Sequence, residues 1–253
     1  MPARDTELMA RLIAAIMRHG DYHQLANTPS ALQPFPLTAQ GCEQARQGAA
    51  SIAGFLRQQQ CELHSAIDSS QLLRGWQTAR IVADALKLAA PASQRTGIDV
   101  QGYEDLAERS VGSAANLTLQ QIEEILQADP RYRDPPTDWK SNSHYCLPLQ
   151  GAESLMQAGE RVAAHLEKQM QGLFTTETSD TLKLFVGHGA AFRHAAYCMG
   201  LLVFEDIAKL SMHHAQPLFF EFNARAEADS GESRWRHIDG EWKVRSKNTV
   251  YTD

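Results

Sequence analysis

The segment from Ile16 to Gln24, IMRHGDYHQ, closes a short apolar run with an arginine, a histidine and a glycine. The run itself, residues 12–17, is too short for an ordinary helix and is typical of a strand buried on both faces of a sheet. Arg18 and His19 are well solvated by water, so their place directly after a buried strand indicates a charged ligand. The segment therefore predicts a parallel sheet with a polar site at the carboxyl end of this strand.

Strand and helix patterns alternate along much of the chain. Thr38 is a candidate N-cap, and apolar residues recur at helical spacing from there to Arg57. A strand at residues 66–68 precedes a second helix in SSQLLRGWQTARIVADALKL, and a strand at residues 182–186 precedes a third helix at residues 190–199. Such alternation is typical of a parallel sheet covered on both faces. We expect an α/β fold, a three-layer α/β/α sandwich with a mainly parallel central sheet, formed by a single domain over residues 1–253.

The stretch at about residues 102–150 behaves differently. It holds a helix pattern at residues 118–127, with Thr118 and Gln121 as a candidate capping box, and then the polar, proline-rich DPRYRDPPTDWKSNSHYCLPLQG. Because it has few apolar residues with which to build a core, we expect an inserted cap region rather than an independent domain. After the third strand–helix unit, PLFFEF predicts a strand and WRHIDGEWKV predicts a hairpin around Asp239-Gly240.

The composition limits the class of function. A formal charge of −6 argues against general nucleic-acid or membrane-surface binding, because both need a basic surface. The cysteines show no metal-ligand spacing and are typical of reduced thiols that fill a core; they are Cys42, Cys61, Cys146 and Cys198. From the charged residues among the first twenty, we expect neither a signal peptide nor a bilayer-spanning segment there. We expect a cytoplasmic protein, and the sequence leaves its oligomeric state open.

Polar side chains follow three of the predicted strands. Arg18 and His19 follow the first, Arg74 lies just inside the second helix, and His188 follows the third strand. Because the carboxyl ends of parallel strands meet at one edge of a sheet, these side chains are expected to converge. Two guanidiniums and two imidazoles suit a phosphate dianion, since the fork of arginine matches phosphate oxygens. One histidine could then attack phosphorus while an acid protonates the departing oxygen.

Four motifs, in this order, resemble those of the histidine phosphatase superfamily, whose fold is shared with the cofactor-dependent phosphoglycerate mutases. They are RHG at residues 18–20, LTAQGCEQA at 37–45, SSQLLRGWQTA at 69–79 and VGHG at 186–189. The resemblance implies that His19 is the nucleophile, that Arg18, Arg74 and His188 bind the phosphoryl oxygens, and that no metal or other cofactor is needed. His19 must be neutral to attack, whereas His188 works best as a donor with both ring nitrogens protonated.

The resemblance also implies a general acid after the second strand–helix unit. Glu108 in LAERSVG matches that position best, with Glu104 and Asp105 as alternatives. The acid must be protonated before it can act, so a pocket that raises its pKa is implied.

Departures from the family pattern bear on the reaction. The mutases follow RHG with a Glu-Ser start, but this chain continues DYHQL, and RSVGSAANL lacks the tyrosine and paired arginines that hold a phosphorylated acid. A phosphatase acting on a phosphorylated small molecule or a phosphoprotein is therefore favoured. The alternatives are a phosphoglycerate-type mutase and a non-catalytic scaffold that binds a phosphoprotein. Tyr22, His23 and Gln24 are candidates for the rim of the substrate pocket.

The remaining histidines are interpreted without a metal. His213 and His214 are adjacent and have no carboxylate or cysteine at ligand spacing, so surface or packing roles are expected. His194 is interpreted as a core residue. Glu153 resembles part of a family motif, but we expect a structural role there, with Ser154 as the cap of a helix.

Overall fold

The computed structural model describes residues 10–89, 97–226 and 233–245. Its main sheet has the strand order β4-β3-β5-β1-β7-β8, with β2 paired to β5 outside this path. The strands are β1 (Leu12–Arg18), β2 (Glu62–Leu63), β3 (Ala66–Ser70), β4 (Asp99–Tyr103), β5 (Thr181–Gly187), β6 (Leu210–Ser211), β7 (Pro217–Phe222), β8 (Trp235–Asp239) and β9 (Lys243–Val244). The pairs that join β1 to β5, β3 to β5 and β3 to β4 are parallel, and those that join β7 to β1 and to β8 are antiparallel.

Helices cover both faces of this sheet. They are α1 (Ala39–Gln59), α2 (Leu73–Ala89), α3 (Leu119–Ala128), α4 (Leu155–Thr176), α5 (Gly189–Cys198) and α6 (Phe204–Ile207). The apolar faces of α1 and α2 form one core with the sheet, and those of α4 and α5 form the other. The predicted α/β/α sandwich with a mainly parallel central sheet is confirmed.

Strand β1 lies at the centre because its side chains serve both cores. Ile13, Ala15 and Met17 are buried against α1 and α2. The alternate residues, Leu12, Ala14 and Ile16, are buried against α4 and α5. Successive side chains of a strand point to opposite faces, so an unbroken apolar run fits only a strand with a covered sheet surface on each side.

A strand that the sequence analysis did not predict, β4, precedes the predicted insertion and overlaps its first residues. Strand β4 extends the sheet beside β3, and two short 3₁₀ turns and α3 follow it. Thr118 and Gln121 form the expected capping box. A small apolar cluster holds the region together, formed by Val111, Ala114, Ile122, Leu126, Trp139 and Leu147 with Ala31 from the β1–α1 loop. The insertion therefore packs on the loop that follows β1.

The hairpin expected around Asp239-Gly240 is wrong. Strand β8 pairs with β7, whereas β9 pairs with β6 in a separate two-stranded sheet. Gly240 has φ +83°, and a Cβ there would lie 2.5 Å from the carbonyl oxygen of Pro217. The glycine thus lets the chain turn tightly over the start of β7. Because of this turn, β9 pairs with β6 instead of running back along β8.

Two expectations from the composition concern the cysteines and membrane-spanning segments. Cys61 is buried, but Cys42 is half-buried and Cys146 and Cys198 are exposed, so the expectation that all four fill a core is wrong. All four thiols are free. Within the described ranges, the helices are either too short or too polar to cross a bilayer.

Candidate active site

The four predicted phosphate-site residues lie together at the carboxyl edge of the sheet. Strands β1 and β5 are paired in parallel with Arg18 opposite Gly187, so His19 and His188 leave neighbouring strands at the same level. Their ring centroids are 5.0 Å apart. Arg74, at the start of α2, donates from Nε to Nε2 of His19 at 3.3 Å. The expected convergence of side chains therefore occurs, with one carboxylate, Glu108, close enough to affect the pKa of Arg74.

Motif residues on α1 and α2 hold the loop that carries His19. The N–H of Gly20 donates to Thr78 Oγ1 at 3.0 Å, and the N–H of Asp21 donates to Gln44 Oε1 at 2.8 Å. A Cβ at Gly41 would lie 1.9 Å from the carbonyl oxygen of Asp21. Helices α1 and α2 therefore lie close against this loop. This close packing is the reason for Gly41 and Gln44 in LTAQGCEQA and for Thr78 in SSQLLRGWQTA.

The tautomer of His19 follows from its hydrogen bonds. Nδ1 lies 2.7 Å from the carbonyl oxygen of Gly20, which can only accept, so Nδ1 carries the proton. Nε2 carries the lone pair of the ring, which accepts the hydrogen bond from Arg74 Nε. Burial holds the pKa of His19 well below its ordinary value, and the charges of Arg74, His188 and Arg18 lower it further. The ring is therefore kept neutral, as a nucleophile requires.

His188 differs from the expectation of a doubly protonated ring. It is fully buried, and burial together with the charges of Arg74 and Arg18 holds its pKa well below the ordinary value. Its Nε2 lies 2.9 Å from Ser70 Oγ, whereas its Nδ1 is buried without a hydrogen-bond partner among the described residues. An unsatisfied buried nitrogen is costly, so Nδ1 marks a place for a ligand atom.

Arg74 is bound on all sides. Its Nη1 donates to the carbonyl oxygen of Gln33 at 2.8 Å, and its Nη2 donates to those of Ser30 and Ala31 at 3.1 and 3.0 Å. The guanidinium also lies 4.5 Å from the ring centroid of Tyr22. Arg74 therefore fixes the loop of residues 28–33 over the site, and Arg74, His19 and His188 are at most 1% exposed beneath it.

Arg18 enters the site from the other side. Its Nη1 donates to the carbonyl oxygen of Met212 at 3.3 Å. A Cβ on Gly189 would lie 3.1 Å from Cδ of Arg18, so the last glycine of VGHG leaves room for the arginine at the N-terminus of α5. Positive charge and helix N–H groups thus meet where an anion is expected.

Glu108 is buried at the border between the site and the insertion. It is 4% exposed, and its Oε1 accepts from the N–H of Arg109 at 2.9 Å. It lines a small cavity with Ser30 and Ala31 of the covering loop. Its rivals Glu104 and Asp105 are exposed. The structure therefore brings only the first of the three candidates to the pocket wall.

Glu153 holds the segment that carries Glu108. Its Oε1 accepts from the N–H of Ser110 at 3.0 Å and from Arg161 Nη2 at 2.6 Å. Arg161 also donates to the carbonyl oxygen of Asp105 at 2.7 Å. Ser154 caps α4 as expected, accepting from the N–H of Gln157. Glu153 therefore has the structural role expected of it.

The three candidates for the pocket rim have different places. Tyr22 is buried, its ring centroid is 5.2 Å from that of His19, and its hydroxyl is 2.9 Å from Ser30 Oγ. Burial raises the pKa of Tyr22 above its ordinary value. His23 is exposed and makes no ring contact with His19 among the described residues. Gln24 bonds to the carbonyl oxygen of Thr28 within the covering loop.

Sequence reasoning missed three residues at or near the site. Ser70 touches His188, and the only signal for it is its place in SSQLLRGWQTA. Arg109 is 5% exposed and lies 5.9 Å from the ring of Trp139. His214, interpreted as a surface or packing residue, has its ring centroid 5.9 Å from that of His19. Within the described ranges, no group of three or more His, Cys, Asp or Glu side chains could hold a metal ion.

The buried histidines predict how stability changes with pH. His19, His188 and His194 are buried with lowered pKa values, that of His194 being about 4, so the unfolded chain binds more protons below about pH 6.5. Their contribution is therefore fully present above that pH and is lost as the pH falls. In phosphate-free buffer, the free energy of unfolding should fall by about 1 kcal/mol per histidine between about pH 6.5 and 5.5.

Urea titrations at each pH measure this loss. His194 is the matched test, because it lies outside the pocket and bonds to Ser143 and to the carbonyl oxygen of Ala190. His194→Asn should reduce the pH-dependent loss by about a third. A free energy of unfolding that does not change over this range would contradict the prediction.

Comparisons with known proteins agree with the fold and the motifs. Residues 14–226 match the family model of the histidine phosphatase superfamily, branch 1. A 2,3-bisphosphoglycerate-dependent phosphoglycerate mutase of Bifidobacterium longum is 26% identical over 224 residues, 82% of this chain and 85% of that protein. A mycobacterial glucosyl-3-phosphoglycerate phosphatase structure aligns with a TM-score of 0.60 and 21% identity, covering 90% of this chain and 97% of that chain. A phosphoglycerate mutase structure from Bacillus anthracis aligns with a TM-score of 0.64 and 14% identity, covering 94% and 95%.

Proposed function

The chain belongs to branch 1 of the histidine phosphatase superfamily, and on that premise we propose that it is a metal-independent phosphomonoesterase acting through a phosphohistidine at His19. The observation that carries the proposal is the state of His19 Nε2. This nitrogen is unprotonated and accepts a hydrogen bond from Arg74, and the ring centroid of the second imidazole lies 5.0 Å from that of His19. A neutral nucleophile surrounded by cationic and N–H donors suits attack on a phosphate ester.

In the first step, His19 Nε2 forms a bond to phosphorus and the bond to the leaving oxygen breaks. Glu108, in its protonated form, gives its proton to that oxygen. Arg74 Nε–H, which donates to Nε2 of His19, becomes available to a phosphoryl oxygen once Nε2 is bonded to phosphorus. Arg18 and Nδ1–H of His188 are the other donors proposed for the phosphoryl oxygens. Ser70 supports the needed tautomer of His188 when its hydroxyl donates to Nε2.

In the second step, water attacks phosphorus and the bond to His19 Nε2 breaks. The Glu108 carboxylate takes a proton from that water, which restores the acid for the next cycle. Phosphate leaves, and Nε2 regains its hydrogen bond from Arg74. Atoms and protons balance over the two steps without a metal.

We propose a phosphorylated small molecule as the substrate rather than a phosphoprotein. His19, His188 and Arg74 are at most 1% exposed beneath residues 28–33. A folded protein surface would have to displace this loop over a wide area, whereas a small ester needs only a narrow opening. Phosphoprotein binding without turnover remains the signature of the scaffold alternative.

A mutase is the second candidate, because phosphoglycerate mutases are among the relatives. Arg109, directly after Glu108, is a buried cation that would suit a carboxylate of a phosphorylated acid. A mutase would return the phosphoryl group to the substrate, so its product would carry phosphate at a new carbon. Free phosphate as the sole phosphorus product excludes it.

Glu108→Gln tests the reaction and its acid together. Alkyl phosphates have poor leaving groups that need a proton, so their kcat/KM should fall by about 10²- to 10⁴-fold. Aryl phosphates need little protonation and should lose less than about tenfold. The measurement is phosphate release from both classes of ester in chelator-containing buffer, with phosphorus NMR of the products.

Glu104→Gln and Asp105→Asn are the matched controls, since both side chains are exposed. Each should stay within about twofold of the wild type on both ester classes. An equal loss of both ester classes in Glu108→Gln would remove Glu108 as the acid. Loss of wild-type activity in chelator would contradict the metal-independent mechanism.

A further inference from the structure

A third imidazole lies beside the proposed nucleophile. The ring centroid of His214 is 5.9 Å from that of His19, and the two ring planes are inclined by 31°. His214 is half-buried and belongs to the turn that joins β6 to β7. The adjacent His213 is also half-buried, but its ring makes no contact with His19 in the described part of the chain.

The backbone that carries His214 is held at several points. The N–H of Ala215 donates to the carbonyl oxygen of Arg18 at 2.9 Å, and Arg18 Nη1 donates to the carbonyl oxygen of Met212 at 3.3 Å. A Cβ at Gly48 of α1 would lie 2.2 Å from the carbonyl oxygen of Ala215. Ala215 has φ +51°, a left-handed conformation that costs a residue with a side chain about 1 kcal/mol or more. Such strain persists only where the surroundings fix the backbone, so His214 has a defined position.

His214 and Arg18 share an open, polar groove. The groove, of about 970 Å³, runs along α1 and is lined by both residues and by a row of glutamines, Gln40, Gln44 and Gln47. Glu108 lies elsewhere, in the wall of the small cavity beneath residues 28–33. The proposed acid therefore lines one cavity, and His214 with Arg18 lines another.

We propose that His214 is a phosphate-binding residue, which donates an imidazole N–H to a non-bridging oxygen of the phosphoryl group beside Arg18. The proposal rests on the proposed function, since it concerns the same phosphoryl group. The ligand class is a tetrahedral or trigonal-bipyramidal oxyanion, for which inorganic phosphate and orthovanadate are probes. His214 takes no proton from the reaction in this role and forms no covalent bond.

The test compares His214→Ala, His214→Gln and His213→Ala with the wild type. A hydrogen bond to a charged oxyanion is worth enough that its loss should raise the inhibition constant of orthovanadate by about tenfold in His214→Ala. His214→Gln keeps an N–H donor and should recover part of the loss. His213→Ala should stay within about twofold, because that ring does not contact His19. The KM for an aryl phosphate should rise with the orthovanadate constant, while kcat changes less.

Calorimetric titration of each variant with inorganic phosphate measures the same interaction without turnover. An unchanged orthovanadate or phosphate affinity in His214→Ala would overturn the proposal, as would an equal loss in His213→Ala. If the alanine variant is poorly folded, the glutamine variant decides, since it must then bind more weakly than the wild type with an unchanged melting temperature. A wild type that binds phosphate but releases none from esters would refute the proposed function. The phosphate titration of the His214 variants would then still decide whether His214 binds phosphate.

Discussion

His19→Ala is expected to reduce phosphate release from every ester by about 10⁴-fold or more. The variant loses the nitrogen that forms the bond to phosphorus, and His188 is not able to replace it. His188 presents Nδ1 to the pocket in a protonated form if Ser70 donates to its Nε2, so it has no lone pair there for attack. Steady-state phosphate release gives the rate, and rapid quenching with a labelled substrate measures the phosphoenzyme.

The phosphoenzyme of the wild type should be stable in alkali and labile in acid, as a phosphorus–nitrogen bond is, and it should be absent from His19→Ala. His237→Ala is the control, because His237 is exposed and bonds to the carbonyl oxygen of Asp239 on the distant strand β8. It should keep wild-type rates. Equal rates in wild type and His19→Ala, or label that remains on the variant protein, would remove His19 from the mechanism.

Lys183→Met is expected to cause a large loss of stability although Lys183 lies away from the pocket. Lys183 Nζ lies 2.7 Å from Asp68 Oδ1, and His165 Nε2 lies 2.9 Å from Asp68 Oδ2. The side chains of Lys183 and Asp68 are 3% and 0% exposed. Removing Lys183 leaves the buried Asp68 carboxylate with His165 but without its cationic lysine partner, which should lower the free energy of unfolding by about 3–5 kcal/mol.

Urea unfolding measures this change, with Lys209→Met as the matched control. Lys209 pairs with Asp206 at 3.0 Å on the surface, so its loss should cost less than about 0.5 kcal/mol. Combining Lys183→Met with Asp68→Asn should recover part of the stability, because no unpaired charge then remains. A single variant as stable as the wild type would show that the pair contributes nothing. Asp68 lies two residues before Ser70 on β3, so the cluster also supports the strand end that meets His188.

Local signals carried the prediction of the fold. The uninterrupted apolar run of β1 indicated a strand covered on both faces, and both cores use it as expected. Thr38, Thr118 and Ser154 were recognised as helix caps, and each caps its helix through its own side chain. These features depend on residues a few positions apart, so the local amino-acid sequence is enough to predict them.

Longer-range features were missed for the same reason. Strand β4 was not predicted because DVQGY has little apolar character, and its place depends on pairing with β3. The hairpin prediction for residues 235–244 relied on the Asp239-Gly240 pair alone. Gly240 instead leaves room for the carbonyl oxygen of Pro217, which a Cβ would contact too closely. No local sequence pattern reveals this contact.

Some features of the candidate site could likewise be predicted from the sequence, and others depend on tertiary contacts. The motifs identified Arg18, His19, Arg74 and His188 because the family resemblance rests on those residues, and β-strand topology explains why they meet. Only tertiary structure decided the tautomer of His19, the closure of residues 28–33 over Arg74, and the position of His214. These depend on distances between segments that lie far apart in the chain. A sequence specifies its strands and caps through neighbours, whereas hydrogen-bond partners across the pocket are set by how whole elements pack.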